Sequence, residues 1–552
     1  MKFRIDFPHC EKHGSRRART WRDSLSLGAL SAAGARPFVW TALVTLVSMF
    51  VGLVVQAREA AAPSAQDLRW LNRVAWGADA QSIAQLSRLG RRAWLDQQLR
   101  PGGDSSLPEA LQQALATTPG IARPLGEVLA DVQAENQRIN QLPNEIDKQA
   151  ARQARNQAAQ QARYEAGRAQ LLRAVYSPWQ LQERMTWFWL NHFSVHADKG
   201  NLRWMMADWQ DHALRDHALG KFGDLVWATV THPAMLEYLD NTQSASGKIN
   251  ENFARELLEL HTLGVDAGYS QADVQELARV LTGLGVNLSG KAARLKLELQ
   301  DAYVLKQGFE FNPARHDSGS KKVLGMHVQP GGLEEVRGVI ERLARHPATA
   351  LSISRKLATY FVADEPPAAL VERMAKRFTQ VDGDIAAVLR MLFDSREFAA
   401  SLADGAPVRL KDPTQFVISS LRLAYNTGEG NGAALFNNLR PVQGWLSQLN
   451  QPQYGRITPD GYPLATATWA NPGQLARRFE IARAIGSSNS GLFNSDDNTV
   501  MAPTGFPRPG GQLYYSVWQQ LFSPNTRSAL EKANSQTEWN LLLLASPEWM
   551  SQ

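Results

Sequence analysis

Cysteine is nearly absent: Cys10 is the only one in 552 residues, and it lies in the N-terminal leader. If the leader is removed, the remainder holds no thiol, which excludes disulfides, thiol nucleophiles and cysteine metal sites there. Excess charge is missing as well. The chain carries a formal +6, but residues 1–57 hold eight basic side chains against three acidic ones, so only +1 is left for the rest. That removes the electrostatic motive for nucleic-acid binding. No self-similarity of solenoid length appears. With 44% hydrophobic and 20% charged residues, the composition is that of a globular protein rather than a disordered or fibrous one. The length leads one to expect division into packed subdomains.

The leader has the parts of an export signal: a basic n-region, the apolar run "FVWTALVTLVSMFVGLVV" over residues 38–55, and small residues ending at Ala57. The sequence therefore predicts a periplasmic or secreted protein. An apolar run of this length also just suffices to cross a bilayer, so an uncleaved anchor of residues 38–55 in the inner membrane is the alternative. In both cases the membrane is met only through this segment.

Seven segments follow from the patterning. After the signal peptide or anchor of 1–57 comes an N-terminal helical region, 58–143, which opens with a helical hairpin at "DLRWLNRVAWGADAQSIAQLSRLGRRAWLDQQL". Residues 144–176 are Ala/Gln-rich, lack proline and carry almost no large apolar side chains in the interior of the segment, which predicts a long, exposed spacer helix. Residues 177–284 form a helical core dense in aromatics and histidines. In 285–330 the pieces "LKLELQ", "FEF" and "KKVLG", separated by Gly, Pro and Asn, predict one or two small β-hairpins near 290–325. Helices resume over 331–426, and 427–552 mixes helices with Gly/Pro-rich loops. The fold class is mainly α and multi-helical.

The stretch "NENFARELLELHTLGVDAGYS" concentrates the chemistry. Asn250 as N-cap and Gly264 after the C-terminus predict a helix from about Glu251 to Leu263. Glu251, Arg255 and Glu259 share one stripe as an ion ladder, while Phe253, Leu257, Leu258 and His261 form the apolar face, so His261 is expected to be buried with a hydrogen-bond partner. If the polar face lines a cleft, Glu251, Glu256, Glu259 and His261 are candidate catalytic groups for acid–base work. Ser270 and Asp273 make a capping-box relative. The loop lacks the alternating oxygen ligands that calcium needs.

"RMTWFWLNHFSVH" places Trp189, His192 and His196 on one predicted helical face. His192 and His196 are spaced i, i+4, the spacing of a metal pair, yet no glutamate completes an HExxH pattern and the aromatics favour packing. No metal is favoured and no cofactor is required by the sequence. His316 and Asp317, in "FNPARHDSGSKKVLG" with Lys321 beyond, are either a catalytic loop pair or a turn fixed by its aspartate. His192, Arg255, Lys321 and Trp189 complete the set as candidate binding residues.

Taken in order, "ALRDHALGKFGDLVWATVTHPAMLEYLDN", "NENFARELLELHTLGVDAGYSQADVQELARVLTG", "FEFNPARHDSGSKKVLG" and "SPEW" resemble the bacterial family called domain of unknown function 1800. The resemblance runs from about Leu68 to Ser551, with 144–170 looking like an addition. It implies a mostly helical, exported bacterial protein, often encoded beside an exported sulfatase-like family, which is thereby the expected partner. It implies no activity. The positions matching its motifs are His192, Asn250, Glu251, Asn252, Arg255, Glu256, Glu259, His261, His316, Asp317, Gly319 and Lys321, and His196 falls outside them. Two function classes stay open: an acid–base hydrolase or transferase acting on a cell-envelope or extracellular polymer, and a non-catalytic helical scaffold or partner-binding protein.

Overall fold

Local capping starts many of the helices where the sequence breaks its polar runs. Ser64 and Asp79 each make a reciprocal capping box, opening helices α1 (Ala65–Val74) and α2 (Ala80–Gln98). Gly90, at φ 75°, kinks α2 in its middle. The computed structural model describes residues 63–425, 435–487, 489–494, 507, 509 and 511–552, so the leader, its apolar run and Cys10 lie outside the described residues.

Asn144 caps helix α3 (Glu145–Tyr176), whose 32 residues divide into two halves with different fates. The first half is largely exposed, as a spacer would be. From Tyr164 onward the helix is buried, because Leu171, Leu172, Val175 and Tyr176 face the core and Ala166, Gly167 and Ala169 admit close neighbours. A Cβ on Gly167 would come within 2.5 Å of the Gln443 amide. The spacer expectation therefore fails for the second half: small residues made it look empty, and small residues are what close packing uses.

Helix α4 (Gln180–His192) follows at once and is buried along most of its length. Helix α5 (Leu202–Asp208) widens into a π turn at Trp209–Arg215, and helix α6 (Glu251–Glu256) into a second one at Leu257–His261. Helix α7 (Gln271–Val280) then leads into five short strands: β1 (Leu284–Val286), β2 (Val304–Lys306), β3 (Phe309–Phe311), β4 (Lys321–Val323) and β5 (Met326–Val328). They form an antiparallel sheet in the order β1-β3-β2 and a separate β4-β5 hairpin. The expectation of one or two small hairpins is met by two, β2-β3 and β4-β5. "LKLELQ" is not a strand; its last four residues form a helical turn over Leu297–Gln300 with the side chains of Leu297 and Leu299 away from any partner strand.

Beyond the hairpins, helix α8 (Leu333–Arg345) holds β4 through Glu335 and Lys321, α9 (Pro347–Phe361) reaches the π turn of α6 through Lys356, and α10 (Pro413–Tyr425) packs against α3 and α11 (Pro472–Ile485). One continuous apolar core runs from Leu68 to Met550, and the described residues fall into one compact unit rather than several subdomains. Among them no helix is long and apolar enough to cross a membrane.

Candidate functional site

The site begins where α4 stops. The chain leaves helical geometry at Phe193, so His192 is the last helical residue and His196 sits beyond the helix, near Asp198. The i, i+4 relation between the two histidines is therefore not realised on a helix, which removes the geometric basis of a shared metal. Instead His192 meets the π turn of α6. Its Nε2 lies 3.1 Å from the His261 carbonyl, and His261 Nδ1 lies 3.0 Å from the His192 carbonyl. This reciprocal pair assigns both tautomers, because each carbonyl needs an N–H. The widened turn presents His261 inward while Thr262 and Gly264 return hydrogen bonds to Leu257 and Leu258.

Lys356 of α9 completes the arrangement. Its Nζ donates to the Leu260 carbonyl at 2.8 Å and to His192 Nδ1 at 3.1 Å, the nitrogen left free by the tautomer just assigned. Burial, reinforced by the Lys356 charge, holds His192 well below the usual histidine range and His261 down at about 3. Both rings are neutral. Burial also brings the Lys356 amine down to about 8, opposed only by the field of Asp460. Among the described residues no carboxylate forms an ion pair with Lys356.

The field of Asp460 reaches both this amine and a second group, Glu256. Glu256 is half-buried and makes no hydrogen bond or ion pair among the described residues; burial, then the charge of Glu259, raises its carboxyl above the usual range, and Asp460 adds to the rise. Asp460 therefore acts on both Lys356 and Glu256. Its own position is set by a double contact with Arg456, at 2.9 and 2.8 Å, and by the Thr458 hydroxyl. The loop carrying it is anchored by Asn191, whose amide donates to the Tyr462 carbonyl at 2.9 Å and accepts from the Tyr462 N–H at 2.6 Å. Gly461 is required there: its φ is +75° and a Cβ would lie 2.1 Å from the Asn191 carbonyl. Glu259 accepts from the Tyr269 hydroxyl at 3.3 Å.

The remaining predicted residues are placed elsewhere. Glu251 is half-buried and accepts from Gln271 and Gln275, with Arg255 at 3.6 Å. The ladder thus stops at its first rung, and Arg255 turns to Gln271 instead of Glu259. His316 and Lys321 are buried on opposite oxygens of Glu335, at 3.3 and 2.7 Å. Asp317 pairs with Arg279 at 2.9 Å, and that hydrogen bond lowers its carboxyl to about 2. These five form a closed network pinning the β4-β5 hairpin to α7 and α8. Trp189 is fully buried and its indole N–H donates to the Ala218 carbonyl, a core role. So the structure brings His192 and His261 together on Lys356, sets Glu256 beside Glu259, and places Glu251, His316, Asp317 and Lys321 in other contacts.

Sequence reasoning missed Lys356, Asp460 and Asn191. A signal existed for the first: Lys356 falls on the stripe of Ile353, Leu357 and Tyr360, the buried face of α9, while Arg355 points outward. It also missed a second cluster under the π turn of α5. His232 caps its helix through Nδ1, so its Nε2 donates to Asp208 at 3.0 Å. His212 donates to Asp216 at 3.0 Å, a bond that raises it to about 9. Asp208, His212 and His232 line a cleft of about 570 Å³. Among the described residues no group of three or more His, Cys, Asp or Glu is arranged to hold a metal ion.

No curated protein and no solved structure matches the chain. Residues 69–551 match a family described as a protein of unknown function, DUF1800, and the chain belongs to that family.

Proposed function

We propose that the protein is an exported acid–base enzyme, a hydrolase or transferase acting on a cell-envelope or extracellular polymer, with Lys356 as base and Glu256 as acid. The observation that carries this reading is the Lys356 amine: half-buried, aimed by a carbonyl and a neutral imidazole, and left without a carboxylate partner among the described residues. An ammonium so placed loses its proton near neutrality, and the free amine can take a proton from an attacking hydroxyl or water. Glu256, whose carboxyl is held above its usual range, supplies a proton to the leaving oxygen. His192 keeps the amine's lone pair directed, and Asp460 biases both groups. Export rests on the basic stretch and apolar run of residues 1–57.

A second reading, the scaffold, is favoured at one place. His316, Glu335, Lys321, Asp317 and Arg279 satisfy one another inside the packing and leave no free group for chemistry.

The experiment is a panel of peptidoglycan, polysaccharide and polyester substrates offered to the purified protein, to Lys356→Met and to Glu256→Gln, each checked for native circular dichroism. Turnover by the wild type is expected to fall by about 10²-fold or more in both variants. Full turnover in either folded variant, or an inert wild type across the panel, sinks the reading.

A further inference from the structure

Asp208, His212 and Asp216 follow one another at i, i+4 and i+8, and the π turn Trp209–Arg215 carries the middle member. Such turns are frequent at functional positions. His212 has a carboxylate beside each ring nitrogen: Nδ1 donates to Asp216 at 3.0 Å, while Nε2 lies 3.8 Å from Asp208 Oδ2. The Asp216 bond raises His212 to about 9, with burial opposing it and the fields of Asp208, Asp216 and Asp211 adding to it. At neutral pH both nitrogens therefore carry a proton, and the one on Nε2 has no acceptor within hydrogen-bonding reach among the described residues.

Asp208 supplies the other half. His232 is anchored at Nδ1 by the Ala234 N–H and against the Trp209 ring at 5.1 Å, and its Nε2–H fixes Asp208 Oδ1 at 3.0 Å. Oδ2 is left toward His212, with no hydrogen bond among the described residues. A charged donor and a charged acceptor thus stand 3.8 Å apart, too far to bond each other and close enough for one atom to bond both. An anion placed there would meet Asp208, and a cation would meet His212. A hydroxyl suits both, because it accepts through its lone pairs and donates its own proton.

The pair opens on the cleft of about 570 Å³, whose wall also includes Pro233 and Phe309. Its size is ordinary for a small-molecule site. Pro233 and Phe309 give it an apolar side on which the C–H face of a sugar ring can lie. Lys306, which is exposed, and Arg123, already paired with Asp131 at 2.8 Å, add donors for further hydroxyl oxygens. Water alone would fill the gap between donor and acceptor but would leave the apolar side without a partner; a ring hydroxyl displaces that water while reproducing its bonds.

We propose that this cleft binds a neutral sugar ring of a saccharide, with one hydroxyl bridging His212 Nε2–H and Asp208 Oδ2 and the apolar ring face on Phe309 and Pro233. It is a binding site and makes no use of Lys356 or Glu256.

The test is isothermal titration of the full chain with neutral trisaccharides of the cello, malto, chito and manno series, which reads binding without turnover. Saturable binding of at least one, at millimolar affinity or tighter, is expected. His212→Ala removes an exposed side chain and its charged donor, and is expected to weaken that binding by about 10-fold or more, while Glu251→Gln, outside the cleft, leaves it unchanged. A wild type that binds none of the panel, so that water is the only occupant of the gap, overturns the proposal. Full affinity in a folded His212→Ala overturns it too. If His212→Ala does not fold, crystals of the wild type soaked with the tightest sugar decide: a ring on Phe309 with a hydroxyl between His212 and Asp208 supports the site, and a sugar seated elsewhere rejects it.

Discussion

Two lysines stand beside histidines in this protein, Lys321 buried and Lys356 half-buried, and one carboxylate separates their roles. Lys321 and His316 share Glu335, which also accepts the Gly331 N–H at 3.1 Å. Burial alone would push the Glu335 carboxyl up, but the bonds from His316 and Lys321 outweigh it and hold it below its usual value. Lys356 and His192 are the same residue types, in direct contact at 3.1 Å, with no such acid between them. In the first cluster the charge is closed and the groups fix a hairpin. In the second the charge is open, and the amine comes down toward neutrality. Residue identity therefore does not distinguish a charge-closed cluster from one with a lowered amine; the presence of the compensating carboxylate does.

The strongest way to break this contrast is to open the closed cluster. Glu335→Ala leaves Lys321 and His316 buried without their acid, and urea unfolding is expected to show a loss of about 3–5 kcal/mol. A loss under 1 kcal/mol would mean that the network is not closed. Next comes acid. His192 and His261 have folded values depressed below the unfolded one, so the unfolded chain binds the extra protons as pH falls. Their stabilising contribution is present above about pH 6.5 and is lost below it, at about 1.4 kcal/mol per pH unit for each ring. For His261 the loss runs down to about pH 3. His261→Asn, which keeps a donor near the Nδ1 position, should show a shallower acid slope between pH 6.5 and 5 than the wild type.

Lys356→Met sharpens the other side. Removing an unpaired half-buried cation is expected to leave stability at pH 7 unchanged or raised by about 1 kcal/mol. Because the folded Lys356 value is depressed, wild-type stability rises as pH climbs from about 8 toward the unfolded lysine value, and that rise should vanish in the variant. The smallest effect belongs to the Glu251 ladder: Glu251→Gln should move the urea midpoint by less than about 0.5 kcal/mol equivalent.

The sequence made His261 legible because a histidine among Phe253, Leu257 and Leu258 must be buried, and it is. It could not show that the partner is His192, 69 residues away, since pairing across that span depends on where α4 stops and α6 widens. Both features lack a local signal: no glycine or proline marks Phe193, and a π turn has the same apolar spacing as the α-helix it interrupts. His196 was misplaced for the first reason. The hairpins were readable from "FEF" and "KKVLG", whose flanking Gly and Asn set the turns, whereas "LKLELQ" alternates like a strand without a partner to pair with. Lys356 was readable in principle as a charge on an apolar stripe. Asp460 was not, because only the Asn191 clamp brings its loop to the site.

The most direct measurement is the titration of Lys356 itself, by competitive acylation of the native protein across pH 6–11 with peptide-level readout. A midpoint at about 8, well separated from the surface lysines, is the predicted result. Titration together with those lysines, near the ordinary value of about 10.4, would contradict the claim that an uncompensated amine lies at the centre of this site.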